Sequence, residues 1–417
     1  MSVLERSFFT DRDVLQDPIP YYRALREHGP VWREPHMGVV MVSGLEEVLD
    51  LYRDHERFSA VVGPLGPFVE VPQPEAGESW ASLVARRRPE MPMGDTIMTM
   101  DPPEHTRHRA LAGKFFTPRR LQENEEFILA LADQLIGELA ARGEVEFSAA
   151  YARPFTLLVI ADLLGVPRED HATFRSWLGG DMGNVGDPEG KHVADQVFAN
   201  LDPYFTRYVE DRRTTPRDDV MGRLANVRFS DGALPEVADV VRLASVLFAA
   251  GQETTARLLC AGIRVLAEQP DLADELRREP ALVANFVEEC LRLEGPIKGS
   301  FRLSLVDTRL GGVDVPAGTI LMAVVGAANR DPRVFDDPDR FDARRTNARR
   351  NVAFGHGEHF CPGASLARTE TRISFERLLE RLDGIALASA APPVYAESFI
   401  IRGLETVPLR VRRRTVS

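Results

Sequence analysis

Phe354-Gly-His-Gly-Glu-His-Phe-Cys-Pro-Gly-Ala-Ser-Leu-Ala-Arg368 is a glycine-rich turn that delivers one cysteine to the start of a helix. Gly355 and Gly357 permit positive φ and close backbone approach, so the loop can fold tightly beneath a flat cofactor. Pro362 suits the first helical position, where its fixed φ is pre-organised and its missing N–H is not needed. The spacing predicts a helix from Pro362 through Glu370, with Cys361 just ahead of it. Free N–H groups and the positive end of the helix dipole converge at that point and favour a thiolate over a thiol. The three cysteines, Cys260, Cys290 and Cys361, have no paired spacing, which fits a reducing compartment and a metal-ligand role for Cys361 better than a disulfide framework.

Three other readings of the stretch are weaker. Cys361 could be a small buried hydrophobe, as many free cysteines are. A zinc site built from His356, His359 and Cys361 lacks both a fourth ligand and a recognisable catalytic spacing. As a dinucleotide loop the segment lacks the third glycine and the strand-then-helix context.

The stretch resembles the cytochrome P-450 signature Phe-Gly-x-Gly-x-His-x-Cys-x-Gly-x-x-Leu-Ala-Arg, matched at Phe354, Gly355, Gly357, His359, Cys361, Gly363, Leu366, Ala367 and Arg368. The resemblance implies haem b as cofactor, held around Phe354, Gly355, His359 and Gly363, with Cys361 as the iron ligand. It also implies a mainly α fold with a small mixed β-sheet region and a long central helix over the haem. A thiolate on haem iron donates electron density and favours O–O cleavage.

Residues Pro235 to Glu268 are rich in Ala, Leu and Val, have no internal proline, and predict one buried helix of about 50 Å. At its centre lies Ala249-Ala-Gly-Gln-Glu-Thr-Thr255. Ala250 and Thr254 are four apart and share a face, and Gly251 with the threonine pair gives a cause for a local break in the helix ladder. The segment resembles the oxygen-binding part of the family's central helix. That likeness implies dioxygen against Ala250 and Gly251, Thr254 as its hydrogen-bond partner and Glu253 as the proton relay. Gln252 stands where the family often has histidine. On its residues alone, the threonine pair reads as bonded back to helix carbonyls.

A second helix, Leu282 to Leu293, ends at Gly295-Pro296. Its Glu289 and Arg292 share a face at i,i+3 and resemble the family's Glu-x-x-Arg pair, which implies a structural ion-pair network with Arg340 as third member. His105 and Arg109 resemble haem-propionate ligands, joined by Arg302 and His359. Val31 to Ser43, Ser300 to Val306 and Leu310 to Val325 carry the strand signals.

The 417 residues contain no linker or repeat and read as one domain over residues 1–417. Formal charge is −12, which argues against nucleic acid as a partner. No segment is long and apolar enough for a bilayer and the amino terminus lacks a signal pattern, so no membrane role and a cytoplasmic location are expected. The resemblance implies a monooxygenase. With no flavin or nicotinamide fingerprint in the chain, its electrons are expected from a ferredoxin and ferredoxin reductase. The run Arg344-Arg-Thr-Asn-Ala-Arg-Arg350 reads as a basic docking patch or as a solvated loop. Family geometry places the substrate pocket near Phe248, Ala249, Ile297, Lys298, Phe399 and Ile400. That predicts a small hydrophobic substrate of terpenoid, steroid, fatty acyl or aromatic type, with Lys298 facing a carboxylate or water. A peroxide-using haem enzyme and a haem sensor are the competing classes.

Overall fold

The computed structural model describes residues 2–178 and 191–414, the side chains of residues 177–178 and 191–197 excepted. Its axis is the helix Val237–Glu268, whose interior side chains Val240, Ala244, Phe248, Leu259 and Ile263 are buried. The helix stops where the Gln269 N–H closes on the Val265 carbonyl and Pro270 opens the next helix. Helices Arg153–Leu164, Lys191–Thr214, Val283–Glu294 and Ala364–Arg381 pack on it.

The strands are short and peripheral. β1 (Val31–Arg33), β2 (Val40–Val42), β3 (Phe58–Ser59), β5 (Ser300–Ser304) and β8 (Ile320–Ala323) form one sheet in the order β1-β2-β8-β5-β3. β2 and β8 run parallel and the other pairs antiparallel, so the sheet is mixed. β4 (Glu144–Glu146), β10 (Pro408–Arg413) and β9 (Leu382–Leu387) make a three-stranded sheet, and β6 (Thr308–Leu310) pairs with β7 (Val313–Val315) as a hairpin. That hairpin turns on Gly311 and Gly312 at φ 53° and 85°, the two positive-φ positions of a tight right-twisted turn.

The expected mainly α architecture with a small mixed sheet is what forms. The stretch Val31–Ser43 folds as the two strands β1 and β2, because Gly38 at φ 71° bends the chain back and donates its N–H to the Glu34 carbonyl. In β5 the two-residue period decides what meets the site. Ser300 and Arg302 share the face toward the central cavity, while Phe301 and Leu303 enter a separate apolar core with Phe9, Met322 and Phe399. Gly66, at φ 53°, lies against the Phe301 ring, where an added Cβ would stand 2.6 Å from ring carbons.

Candidate functional site

Between the central helix and the cysteine loop lies a cavity of about 310 Å³, lined by Ala250, Thr254, Arg302, Phe354, His359 and Cys361 among others. The loop is held by short backbone bonds: the Gly355 N–H donates to the Val352 carbonyl and the Cys361 N–H to the Phe354 carbonyl, each at 2.9 Å. Gly355 and Gly357 sit at φ 70° and 69°. At Gly357 a Cβ would stand 2.6 Å from the Tyr52 carbonyl oxygen, so only glycine fits.

The helix after Cys361 begins at Ala364, with Gly363 as its cap, and not at Pro362 as the spacing predicts. Pro362 and Gly363 form a turn that lets the Gly363 and Ala364 N–H groups reach the sulfur. The expected lowering of the thiol pKa does not follow in the bare chain. Burial pushes the Cys361 thiol up and outweighs those two N–H groups, Arg109 and Arg368. A cation at the sulfur would be needed to hold it as thiolate.

His105 and His359 stack with ring centres 4.0 Å apart. Both nitrogens of buried His105 and Nε2 of His359 lack a hydrogen-bond partner. Burial, with Arg302 and Arg109 nearby, lowers the His105 pKa to about 4 and the His359 pKa to about 2, so both rings are neutral. Arg302 is buried, lies over the Tyr52 ring and donates only to the Phe301 carbonyl. Arg109 Nη2 donates to the Phe360 carbonyl at 2.5 Å. Buried polar atoms without partners are costly, so this group of side chains calls for an acceptor that the chain itself does not supply.

On the central helix, Thr254 lines the cavity and its hydroxyl donates to the Ala250 carbonyl at 2.8 Å, the back-bonded arrangement that the residues alone suggest. The helix remains continuous through this point, against the expected break. Gly251 does not face the cavity: it abuts Ile160, where an added Cβ would lie 3.3 Å from that side chain, so its smallness serves helix packing. Glu253 pairs with Arg257 at 2.6 Å, one turn along the same helix.

Glu370, which the motifs do not single out, has a fully enclosed carboxyl that is hydrogen-bonded to Thr255, itself a cavity residue. The buried face Leu366, Glu370, Ile373, Ser374 was the available signal, since an acid in such a stripe is out of pattern. Burial pushes the Glu370 pKa up to about 8, against the Thr255 bond, which favours the charged form. The folded chain thus keeps a proton that the unfolded chain releases above the ordinary 4.5. Its contribution to stability is complete below 4.5 and fades as pH rises toward about 8. Glu370→Gln should flatten that slope when unfolding midpoints are compared across the window, and an unchanged slope would contradict the assignment.

Other expected residues are placed differently. Glu289 and Arg292 form two 2.7 Å bonds with both side chains wholly buried. Their third member is Arg345, not Arg340: Arg345 Nε meets Glu289 Oε1 at 3.1 Å. Arg340 contributes only its backbone carbonyl, which accepts from Arg292 and Arg345, and its guanidinium is 65% exposed near Asp342. The basic run is also largely spoken for. Arg344 pairs with Glu275 and Glu279, Arg349 approaches Glu288, and Arg350 approaches Glu46.

Ile297 and Ile400 line the cavity, joined through the bridge of Ile297 to Ile401 and the Lys298 N–H to the Ile400 carbonyl. Phe248, Ala249 and Phe399 do not. Phe248 packs on Phe174 and Phe205, Phe399 stacks near Phe68, and Ala249 joins the helical core. Lys298 turns away from the cavity altogether. It is buried, and its amine donates to the carbonyls of Leu15 and Ser398, tying the amino-terminal segment to the tail loop.

Comparison with known proteins agrees with this geometry. The family model described as Cytochrome P450 matches residues 188–398. The chain is 35% identical over 405 residues to the vitamin D(3) 25-hydroxylase of Pseudonocardia autotrophica, covering 96% of this chain and 95% of that protein. It is 33% identical to the cytochrome P450 monooxygenase PikC of Streptomyces venezuelae, covering 96% and 93%. The Mycobacterium marinum cytochrome P450 CYP150A6 in its substrate-free form superposes with a TM-score of 0.91 at 43% identity, covering 99% of this chain and 100% of that one.

Proposed function

This chain belongs to the cytochrome P450 family and is a haem-thiolate monooxygenase, and from that premise we propose that it oxidises a neutral, lipophilic substrate with electrons from a ferredoxin and its reductase. The family uses haem b and requires dioxygen and a redox partner. Among the described residues no helix is long and apolar enough to cross a membrane, and we place the enzyme in the cytoplasm. All of residues 1–417 serve this one catalytic domain.

The residues present fit the cofactor. Cys361 would supply the sulfur ligand to iron, and the unpartnered nitrogens of His105 and His359, with Arg302 and Arg109, would supply donors for the propionates. When bound, the haem supplies the reductive activation of dioxygen. The chain supplies positions and protons. Thr254 donates its hydroxyl proton to the Ala250 carbonyl and keeps its lone pairs toward the cavity, where a water can donate to it. Glu253, partly exposed and steadied by Arg257, carries protons from solvent to that hydroxyl. Thr255, bonded to Glu370, flanks Thr254 on the cavity wall.

Substrate class rests on one observation: beyond the cofactor-side groups, the cavity is lined by Gly63, Pro64, Met98, Ala250, Ile297 and Ile400, with no charged side chain. Lys298, the one cation expected to meet a carboxylate, is committed to Leu15 and Ser398. An anionic group in such a pocket would be desolvated without a partner, which costs more than apolar contacts return. The vitamin D(3) 25-hydroxylase relative acts on a lipophilic molecule of this kind, which supports the reading. Matched pairs of neutral sterol-like compounds and their carboxylates, titrated against the resting absorption spectrum, test it. Neutral members should bind at least about tenfold more tightly, and equal or tighter binding of the carboxylates would overturn the assignment.

A further inference from the structure

Met98 stands out in the cavity wall because Cys361 is the only other sulfur-bearing residue among the described lining residues. It is half-buried, packs against the helical core, and shares the cavity with Ala250 and Thr254. Its backbone is pinned: the Thr96 and Thr99 hydroxyls both donate to the Met93 carbonyl, at 2.8 and 2.6 Å. Asp95 pairs with Arg242 of the central helix at 2.7 Å. Met98 thus borders the cavity from a stretch of wall whose backbone is fixed on both sides. Its lone pair is far more readily oxidised than the C–H bonds of the neighbouring Pro64, Ile297 and Ile400, and methionine sulfoxide is the expected product.

Resting on the monooxygenase reading of the same cavity, we propose that Met98 is an internal oxidation site that takes the oxygen atom when no substrate is bound. One S–O bond forms and no bond of Met98 breaks. One atom of dioxygen becomes the sulfoxide oxygen and the other leaves as water. The redox partner supplies two electrons and solvent two protons, the same balance as substrate oxidation, while sulfur is the group oxidised. The sulfoxide places a polar, hydrogen-bonding group in an apolar wall, so each event lowers later affinity for a lipophilic ligand.

The test uses the haem-loaded enzyme with a surrogate ferredoxin, its reductase and isotopically labelled dioxygen, followed by fragment-ion mass spectrometry. Met37 is 38% exposed and serves as the solvent-side reference. Label at Met98 should exceed label at Met37 by about tenfold, reflecting proximity over exposure. A bound sterol-like ligand should suppress it. Met98→Leu, a volume-conserving change, should remove label from that peptide and leave Met37 as before. Label that follows exposure overturns the inference, as does an unlabelled Met98 while dioxygen is consumed and the reduced carbon monoxide complex is of thiolate type. Loss of that spectral form would instead remove the reading of the cavity, and the inference with it.

Discussion

Arg345→Ala should destabilise the enzyme by about 3–5 kcal/mol in urea unfolding, whereas Arg340→Ala should stay within about 0.5 kcal/mol. The difference follows from where each guanidinium lies. Arg345 is 7% exposed and bonds Glu289, with further donations to the carbonyls of Asp336, Asp337 and Arg340. Removing it leaves a wholly buried carboxylate with one cation fewer and takes a donor from three carbonyls, of which those of Arg340 and Asp337 keep the Arg292 guanidinium and the Arg340 N–H. Arg340 reaches out to Asp342 at 3.4 Å, in a solvent-screened pair. The segment that Arg345 ties down leads directly into the cysteine loop, where the Asn329 side-chain oxygen accepts from the Val352 N–H. Part of the loss should thus appear as weaker cofactor retention. Equal costs at the two positions would show that the network is not centred on Arg345.

That pair of arginines also marks how far the sequence is legible. Features fixed by local spacing were readable: the cysteine turn with its two positive-φ glycines, the helix Val237–Glu268, and the Glu289–Arg292 pair at i,i+3. The choice of third partner was not, because it depends on which of several nearby arginines the loop folds inward over 50 residues from Glu289. Lys298 fails for the same kind of reason. Its neighbours Ile297 and Ile400 reach the cavity, but its own side chain points the other way, to carbonyls contributed by residues 15 and 398. Phe248 and Phe399 were placed in the right elements, yet rotation on the helix and in the tail turns both rings into aromatic clusters. Gly251 looked like room for oxygen and proved to be room for Ile160. The two-residue strand β3 and the peripheral β4, β9 and β10 carry too little periodic pattern to be seen in sequence, and pairing with distant partners creates them, across hundreds of residues for β3 with β5 and β4 with β10.

The fold brings apolar side chains and a polar cradle to one cavity. β5 serves both ends: Ser300 and Arg302 face the cavity, with Ser300 bonded to the Tyr52 hydroxyl at 2.9 Å. The central helix contributes Ala250 and, one turn on, Thr254 and Thr255, and the cysteine loop lines the same cavity. Burial pushes the Cys361 thiol up, so on the function proposed above a bound iron would favour its thiolate form, and His105 and His359 would gain their partners from the cofactor. Cofactor binding and local folding of this region would thereby be coupled.

The most direct measurement of the central claim is the absorption spectrum of the reduced carbon monoxide complex, recorded for the haem-loaded enzyme and for Cys361→His. A thiolate pushes electron density onto iron and shifts the Soret band of the carbonyl adduct strongly to the red, whereas an imidazole does not. The account predicts the red-shifted band in the unaltered enzyme and its complete loss in the variant. Absence of that band in the former, or its survival in the latter, would contradict it.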